Sequence, residues 1–393
     1  MIYIPYGKQQ IDETDISAVR EVLESDWLTQ GPAIDRFENK LKEICHANYS
    51  VAVSSATAAL HIACLALGLG EGDYLWTSAN TFVASANCGL YCGASVDFVD
   101  IEIDYYNMSV QALEHKLIHA EKKGKLPKII IPVHFAGQSC DMKGIRKLAN
   151  KYGFYIIEDA SHAIGAYYND KPVGCGEFSD ITVFSFHPVK IITTGEGGAA
   201  VTNNHDLYEK LIRLRTHGIT RDPHHLQNNH GPWYYEQLEL GYNYRMTDIQ
   251  AALGCSQLKK LECFIEKRHQ VIKQYKNLLK DFPLQLPKQN EIGHSSLHLY
   301  PVLVDDVDEH KSLFEHLRKN NIGVNLHYIP VYKQPYYQKL GFSYDYCPNA
   351  EYYYARAISL PVHPLLCEDH LSQVAQIIGS HYGISVGDSA VRA

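Results

Sequence analysis

From about residue 10 to residue 200 the chain alternates short apolar runs with helical patterns, and this rhythm limits the fold more than any single motif. The segment 11–25 is amphipathic, with Asp12 or Thr14 available as caps, and 34–46 continues as a second helix. Residues 51–53 read as a short strand, and 58–67 as an apolar helix ended by glycines at 68, 70 and 72. Strands at 74–77 and 95–99 flank a helix over 84–91. A β-branched strand at 128–133 and a helix over 142–152 lead into a further strand, 154–159. Strand–helix–strand repeats of this kind predict a mainly parallel sheet with helices on both faces.

In such sheets ligands sit beyond the carboxyl ends of the strands. Two chemically loaded residues fall at such ends. The run 154–159 finishes on Asp159, and the run from Thr182 enters a loop that carries Lys190, followed by Thr193-Thr194-Gly195-Glu196-Gly197-Gly198. A lysine and an aspartate on neighbouring strand ends are the minimum equipment for pyridoxal 5'-phosphate: the amine forms a Schiff base and the carboxylate keeps the pyridine nitrogen protonated. The segment from Val53 to Leu60 turns from strand to helix through small hydroxyl residues, so free N–H groups there can cradle a phosphate, with Ser185 able to add a hydroxyl. Phe82, in the loop after the strand at 74–77, offers a face for a flat ring.

Other chemistries lack their signatures. The glycines at 68, 70 and 72 follow a helix and open none, so they are no dinucleotide fingerprint. His224, His225 and His230, near Asn228 and Asn229, fit no standard metal spacing and read as a solvated loop; no metal is expected. There is no G-x-S-x-G elbow and no Walker loop. Of 393 residues, 36 are basic and 44 acidic, a net charge of −8 with no basic stripe, which argues against nucleic acid. The ten cysteines form no C-x-x-C pair and read as reduced core residues of a cytoplasmic protein. No apolar run approaches the ~18 residues of a membrane span, and the first residues lack a signal-peptide core.

The length implies two domains. A large cofactor-binding unit is expected over 1–250 and a smaller α+β unit over 251–384, joined by one long helix at about 247–279. In the smaller unit 297–304 reads as a strand, 308–320 as a helix, 324–327 as another strand and 371–379 as a closing helix. The stretch 385–393 reads as a disordered tail.

Ordered motifs across nearly the whole chain resemble the DegT/StrS-type sugar aminotransferases, a pyridoxal-phosphate branch of the aspartate-aminotransferase fold (fold type I). They include Leu28-Thr29-Gln30-Gly31, Ser55 to Leu60, Thr81 to Asn87, Glu158 to Ala163, Ser185 to Lys190, Gly195 to Gly198, Gly241 to Met246, His298-Leu299-Tyr300 and Val324 to Tyr328. The resemblance implies that Lys190 carries the Schiff base and that Asp159 pairs with the pyridinium nitrogen. Ala56, Thr57 and Ser185 would hold the phosphate, Phe82 would cover the ring, and Asn243 would reach the phosphate of a neighbouring subunit, making a homodimer with shared sites. His162 stands where many members carry glutamine, at the phenolic oxygen of the cofactor.

Within the family the likeness is to the 4-aminotransferases of pseudaminic acid biosynthesis. It rests on Ser161 to Ala163, Ser185 to Thr194, Thr216 to Gly218 and Ser359 to His363. It implies L-glutamate as donor and a UDP-linked 4-keto-6-deoxy-N-acetylhexosamine as acceptor. Arg245, His327 and Tyr328 are candidates for the sugar nucleotide, with Tyr6, Thr29 and His217 behind them. Pro330, Tyr332, Tyr336 and Tyr337 either line a uracil pocket or form ordinary packed surface. Other readings stay open: an aminotransferase for another UDP-, dTDP- or GDP-linked 4- or 3-ketosugar, and an inactive pyridoxal-phosphate-binding regulator. A dehydratase of this fold would replace the lysine with histidine, and Lys190 is present.

Overall fold

A computed structural model describes residues 2–228 and 230–385. Its centre is a seven-stranded sheet: β1 (Tyr49–Val53), β2 (Tyr74–Ser78), β3 (Ser95–Val99), β4 (Ile129–Ile131), β5 (Tyr155–Asp159), β6 (Ile181–Ser185) and β7 (Gly198–Thr202). The spatial order is β1-β7-β6-β5-β4-β2-β3. Five strands, β6 through β3 in that order, run parallel, and β7 lies antiparallel between β6 and β1.

Alternation along the strands builds a core on each face. Ile129 and Ile131 pack with the helix Ala56–Ala66, whereas Ile130 points the other way, toward Leu148 of the helix Met142–Tyr152. Val51 and Val53 join the first cluster, and Ala52 joins Phe37 and Leu41 of the helix Pro32–Cys45 on the opposite face. Because both faces are covered, the strands read as unbroken apolar runs rather than alternating ones. The helix Glu13–Leu23 is capped by Asp12, as its sequence suggests, through a reciprocal capping box with Asp15.

The C-terminal part forms a second antiparallel sheet, Leu284–Gln285, Tyr300–Val304 and Ala357–Leu360, covered by the helices Glu309–Lys319 and Glu368–Tyr382. Three details differ from the sequence reading. The expected single helix over 247–279 is two, Asp248–Leu258 and Leu261–Leu279. The break falls at Lys260, whose ammonium turns back to Asp12 and Asp15 of the first helix, and no glycine or proline marks it. Residues 324–327 are not a strand: one bridge, Asn325 to Ser359, ties them down, and the chain then turns through a cis His327–Tyr328 peptide. The N-terminal segment, grouped by the linear division with the large unit, pairs with the C-terminal one: Ile4 bridges Ile322, and its carbonyl accepts from the N–H of Gly323 at 2.7 Å. The residues 386–393, most of the expected tail, and Asn229 lie outside the described residues.

Candidate active site

A cavity of about 590 Å³ opens at the carboxyl ends of β5 and β6. Ten sequence-predicted residues line it: Tyr6, Ala56, Thr57, Phe82, Asp159, His162, Ser185, Lys190, His327 and Tyr328. A more open groove of about 910 Å³ between the helices Glu13–Leu23, Pro32–Cys45 and Asp248–Leu258 contains none of them.

Asp159 is the last residue of β5 and only 4% exposed. A buried carboxylate needs donors, and it has two. The Ser85 hydroxyl donates to Oδ2 at 2.6 Å, and the Ser161 N–H donates to Oδ1 at 3.1 Å. Since the Ser85 proton is committed to the carboxylate, the Thr81 hydroxyl, 2.8 Å away, donates to Ser85 in turn. Lys190 stands past the end of the adjacent strand, its N–H bonded to the His187 carbonyl at 2.9 Å. Burial pulls its amine down to about 8, and the charge of Asp159 opposes a further fall.

At the other end of the cavity the helix Ala56–Ala66 begins. The first N–H groups of a helix have no acceptor within it. The Ser55 hydroxyl takes that of Ala58 at 3.1 Å, leaving those of Ala56 and Thr57 without an acceptor among the described residues. With the hydroxyls of Thr57 and Ser185 in the same wall, this is a cradle for a phosphate dianion. Gly198 of β7 makes it possible: a Cβ there would lie 2.4 Å from the Ala56 nitrogen and 2.5 Å from the Ser55 carbonyl carbon. Gly198→Ala is therefore expected to push the helix start outward, lowering stability by about 1–3 kcal/mol and loosening a bound phosphate. A thermal melt and a cofactor-retention assay check both. The donor set as a whole suits pyridoxal phosphate: N–H groups and hydroxyls for its phosphate, a buried carboxylate for its ring nitrogen, and an amine for its aldehyde.

The walls between are imidazoles and phenols. His162 Nε2 lies 3.1 Å from the Tyr328 hydroxyl, and its Nδ1 is buried without a partner. Burial, followed by the charge of Lys190 and the neighbouring His327 ring, holds the imidazole well below its ordinary pKa, so it is neutral. His327 is also neutral, pushed down to about 3, burial being the main cause. The Asn325 amide, which can only donate through Nδ2, lies 3.3 Å from His327 Nε2, so the Nδ1 proton points to the Ser359 hydroxyl at 2.9 Å. Phe82 is 57% exposed and stands at the mouth, 6.2 Å from the Tyr328 ring centre.

Four predicted residues stand outside this cavity. Thr29 is bridged to Thr247, and Asn243 to Thr216. The His217 N–H bonds to the Tyr242 carbonyl at 2.9 Å. Arg245 bridges Val53 and faces a separate cavity of about 450 Å³ with Trp27, Arg215 and Thr216. Main-chain bonds from 214–217 and from Ser54 hold the segment 242–245 beyond the edge of β1, away from Lys190. In the aromatic stretch at 330–337, Tyr332 and Tyr337 are core residues bonded to Glu351 and Asn87, and of its tyrosines Tyr336 alone is exposed. Among the cysteines, Cys263 and Cys367 are exposed, so the core reading does not extend to them.

The sequence reading assigned no role to Ser85, Ser161, His298 or Asn325. Ser85 carried no local signal: Thr81, its hydroxyl partner at 2.8 Å, lies in the loop before the helix Ala84–Tyr91.

The family model of the DegT/DnrJ/EryC1/StrS aminotransferases matches residues 9–379. The UDP-4-amino-4,6-dideoxy-N-acetyl-beta-L-altrosamine transaminase of Campylobacter jejuni is 40% identical over 363 residues, 92% of each chain. PseC of Helicobacter pylori, an aminotransferase involved in the biosynthesis of pseudoaminic acid, superposes with a TM-score of 0.88 at 34% identity, covering 97% of this chain and 100% of PseC. The putative sugar aminotransferase Spr1654 of Streptococcus pneumoniae, solved in PLP and PMP forms, also gives 0.88 at 29% identity, covering 97% of this chain and 99% or 98% of the other. With its lysine and aspartate in one cavity and a match along almost its whole length, the chain belongs to the DegT/DnrJ/EryC1/StrS aminotransferase family.

Proposed function

We propose that this sugar aminotransferase moves an amino group from L-glutamate to the 4-keto group of a UDP-linked 4-keto-6-deoxy-N-acetylhexosamine, the reaction of pseudaminic acid biosynthesis. The products are 2-oxoglutarate and the 4-amino sugar. The observation that carries the reading is the joint presence of Lys190 and Asp159 in one cavity with a phosphate cradle. The 40% identity to the altrosamine transaminase supports the choice of sugar.

Pyridoxal phosphate, when bound, supplies an aldehyde that captures amines and a ring that stores the electron pair left by a departing proton. The residues of this chain do the rest. Ala56, Thr57 and Ser185 hold the phosphate, Asp159 keeps the ring nitrogen protonated, Phe82 covers the ring, and His162 meets its phenolic oxygen as a neutral imidazole. Lys190 Nζ takes a proton from Cα of the donor and returns one at C4 of the acceptor. An amine with a pKa of about 8 is neutral in about one-tenth of molecules at pH 7 and about half at pH 8. Single-turnover proton transfer is thus expected to rise about fivefold between pH 7 and pH 8 and to level off above; stopped-flow absorbance checks it, and a flat profile counts against Lys190 as the base.

Tyr6, His327 and Tyr328 form the acceptor side of the same cavity. Asn243 is exposed and Arg245 stands outside its own chain's cavity. This supports placing both in the site of a second subunit of a homodimer, Asn243 at the cofactor phosphate and Arg245 at the sugar diphosphate; Thr29 and His217 remain weaker candidates for the same face. Mixing Asn243→Ala with Lys190→Ala chains is then expected to restore up to about one-quarter of wild-type activity, through the one mixed site with both residues intact in each heterodimer; no recovery in verified heterodimers rejects the shared site. We also place the enzyme in the cytoplasm, which suits ten unpaired cysteines. No helix among the described residues is long and apolar enough to cross a membrane.

The visible spectrum tests the whole reading. The cofactor band is expected to disappear with L-glutamate and to return with the UDP-4-keto-6-deoxy-N-acetylhexosamine. Return only with a dTDP- or GDP-linked ketosugar would move the enzyme to another pathway, and a band indifferent to glutamate and to every ketosugar would favour an inactive regulator.

A further inference from the structure

Arg268, on the helix Leu261–Leu279, is 1% exposed, and no carboxylate among the described residues pairs with it. Its Nη1 is directed at three carbonyls, those of Leu297 at 3.3 Å, His298 at 3.2 Å and Val362 at 2.9 Å, while its Nε has no partner. Burial pulls the guanidinium down to about 9, which still leaves it charged at neutral pH. An aliphatic side chain would fill the same space without the desolvation cost of a buried cation. The arginine therefore has a task beyond filling space, and its bonds show where: it ties the turn at 297–298 to the main chain at Val362.

That turn is fixed from both sides. Leu297 has φ +52°, a left-handed conformation unfavourable for a residue with a Cβ and kept only where its surroundings impose it. The N–H groups of Ser296 and His298 donate to the carbonyls of Gly137 at 3.0 Å and Ala136 at 2.8 Å. The Ser296 hydroxyl donates to the carbonyl of His162 at 2.8 Å. From the other side His269, next to Arg268, meets the Ser295 carbonyl at 2.9 Å. The result is that the His298 imidazole enters the cavity wall, its centre 4.4 Å from that of His162. Nδ1 of each ring is buried and without a partner. The charged or titratable groups around His298 are His162, Lys190, Arg268 and His327, with no carboxylate among them; with burial as the main cause, they keep its imidazole neutral.

We propose that His298 is a second imidazole of the cofactor face, setting the orientation of His162, and that Arg268 is the positioning residue that holds it there. The inference rests on the reading of His162 at the phenolic oxygen of bound pyridoxal phosphate. Without its neighbour, His162 can swing off that oxygen. Without Arg268, the turn relaxes and His298 no longer keeps its place beside His162. Both changes favour the protonated cofactor.

The test is the pH midpoint of the cofactor's visible band, together with cofactor affinity, in the purified holoenzyme. His298→Phe and Arg268→Met are each expected to raise the midpoint by about one unit and to weaken cofactor retention about tenfold. Arg268→Lys, which can still donate to a carbonyl of the turn, should recover at least half of the shift. The double variant should shift no further than the larger single one, since the two act through one path. A folded His298→Phe enzyme with the wild-type midpoint overturns the proposal, and so does full additivity in the double variant. If Arg268→Met does not fold, His298→Phe and Arg268→Lys still decide it. A wild-type protein that takes up no pyridoxal phosphate would sink the functional reading and this inference with it; a normal wild-type band unmoved in His298→Phe sinks the inference alone.

Discussion

Lys190→Ala is expected to lower amino transfer by about ten-thousand-fold or more while leaving the fold intact, because it removes the cavity's amine without touching a packing contact of the core. The Lys190 residue as a whole is half-buried although its amine lies inside the cavity, and its main-chain bond to His187 does not involve the side chain. The phosphate cradle, at the start of the helix Ala56–Ala66 and apart from the Lys190 loop, should still retain pyridoxal phosphate noncovalently. The measurements are turnover with glutamate and ketosugar, bound cofactor per chain, and the melting temperature. Activity within tenfold of wild type would show that another base moves the proton.

Asp159→Asn is expected to be the next most damaging change, lowering turnover by about a hundred- to a thousand-fold. The amide keeps the size of the carboxylate but carries no charge to hold a proton on the ring nitrogen. It also disturbs its own donors. Both Ser85 Oγ–H and the Ser161 N–H donate to Asp159, one to each oxygen; an asparagine can accept through only one, and its amide nitrogen then confronts the other donor. Turnover per bound cofactor separates the chemical defect from simple loss of the cofactor. Wild-type turnover in a fully loaded variant would exclude Asp159 as the partner of the ring nitrogen.

These two residues were legible because Asp159 ends one strand and Lys190 lies in the loop just past its neighbour, and strand ends in a parallel sheet are where ligands gather. The sheet itself was legible for a related reason: runs such as Ile129 to Ile131, buried on both faces, leave little but a covered strand to choose. What escaped depended on contacts between distant segments. Ser85 meets Asp159 across 74 positions, and nothing local in either segment announces the pairing. His298 enters the cavity through a turn whose conformation is imposed by Arg268 and by residues 136–137. The helix break at Lys260 carries no local breaker and coincides with its ion pairs to Asp12 and Asp15, more than two hundred positions away. Residues 324–327 have a strand's composition, yet only Asn325 finds a bridging partner. Local propensity decided the elements, and tertiary contact decided the details of the site.

The place of β7 bears on how the protein comes into being. This strand lies between β1, which leads into the phosphate cradle, and β6, which leads into the lysine loop. Those two halves are therefore joined by the last strand of the sheet to be synthesised. A ribosome that has delivered Lys190 has not yet delivered the strand that unites its loop with the cradle. Cofactor capture must wait until about residue 202 is free, and the Ile4 bridge must wait for Ile322, more than three hundred positions later in the chain. Closures over such separations are slow, so the β1 edge stays unpaired until about residue 202 has emerged, and the N-terminal segment stays unanchored until Ile322 has.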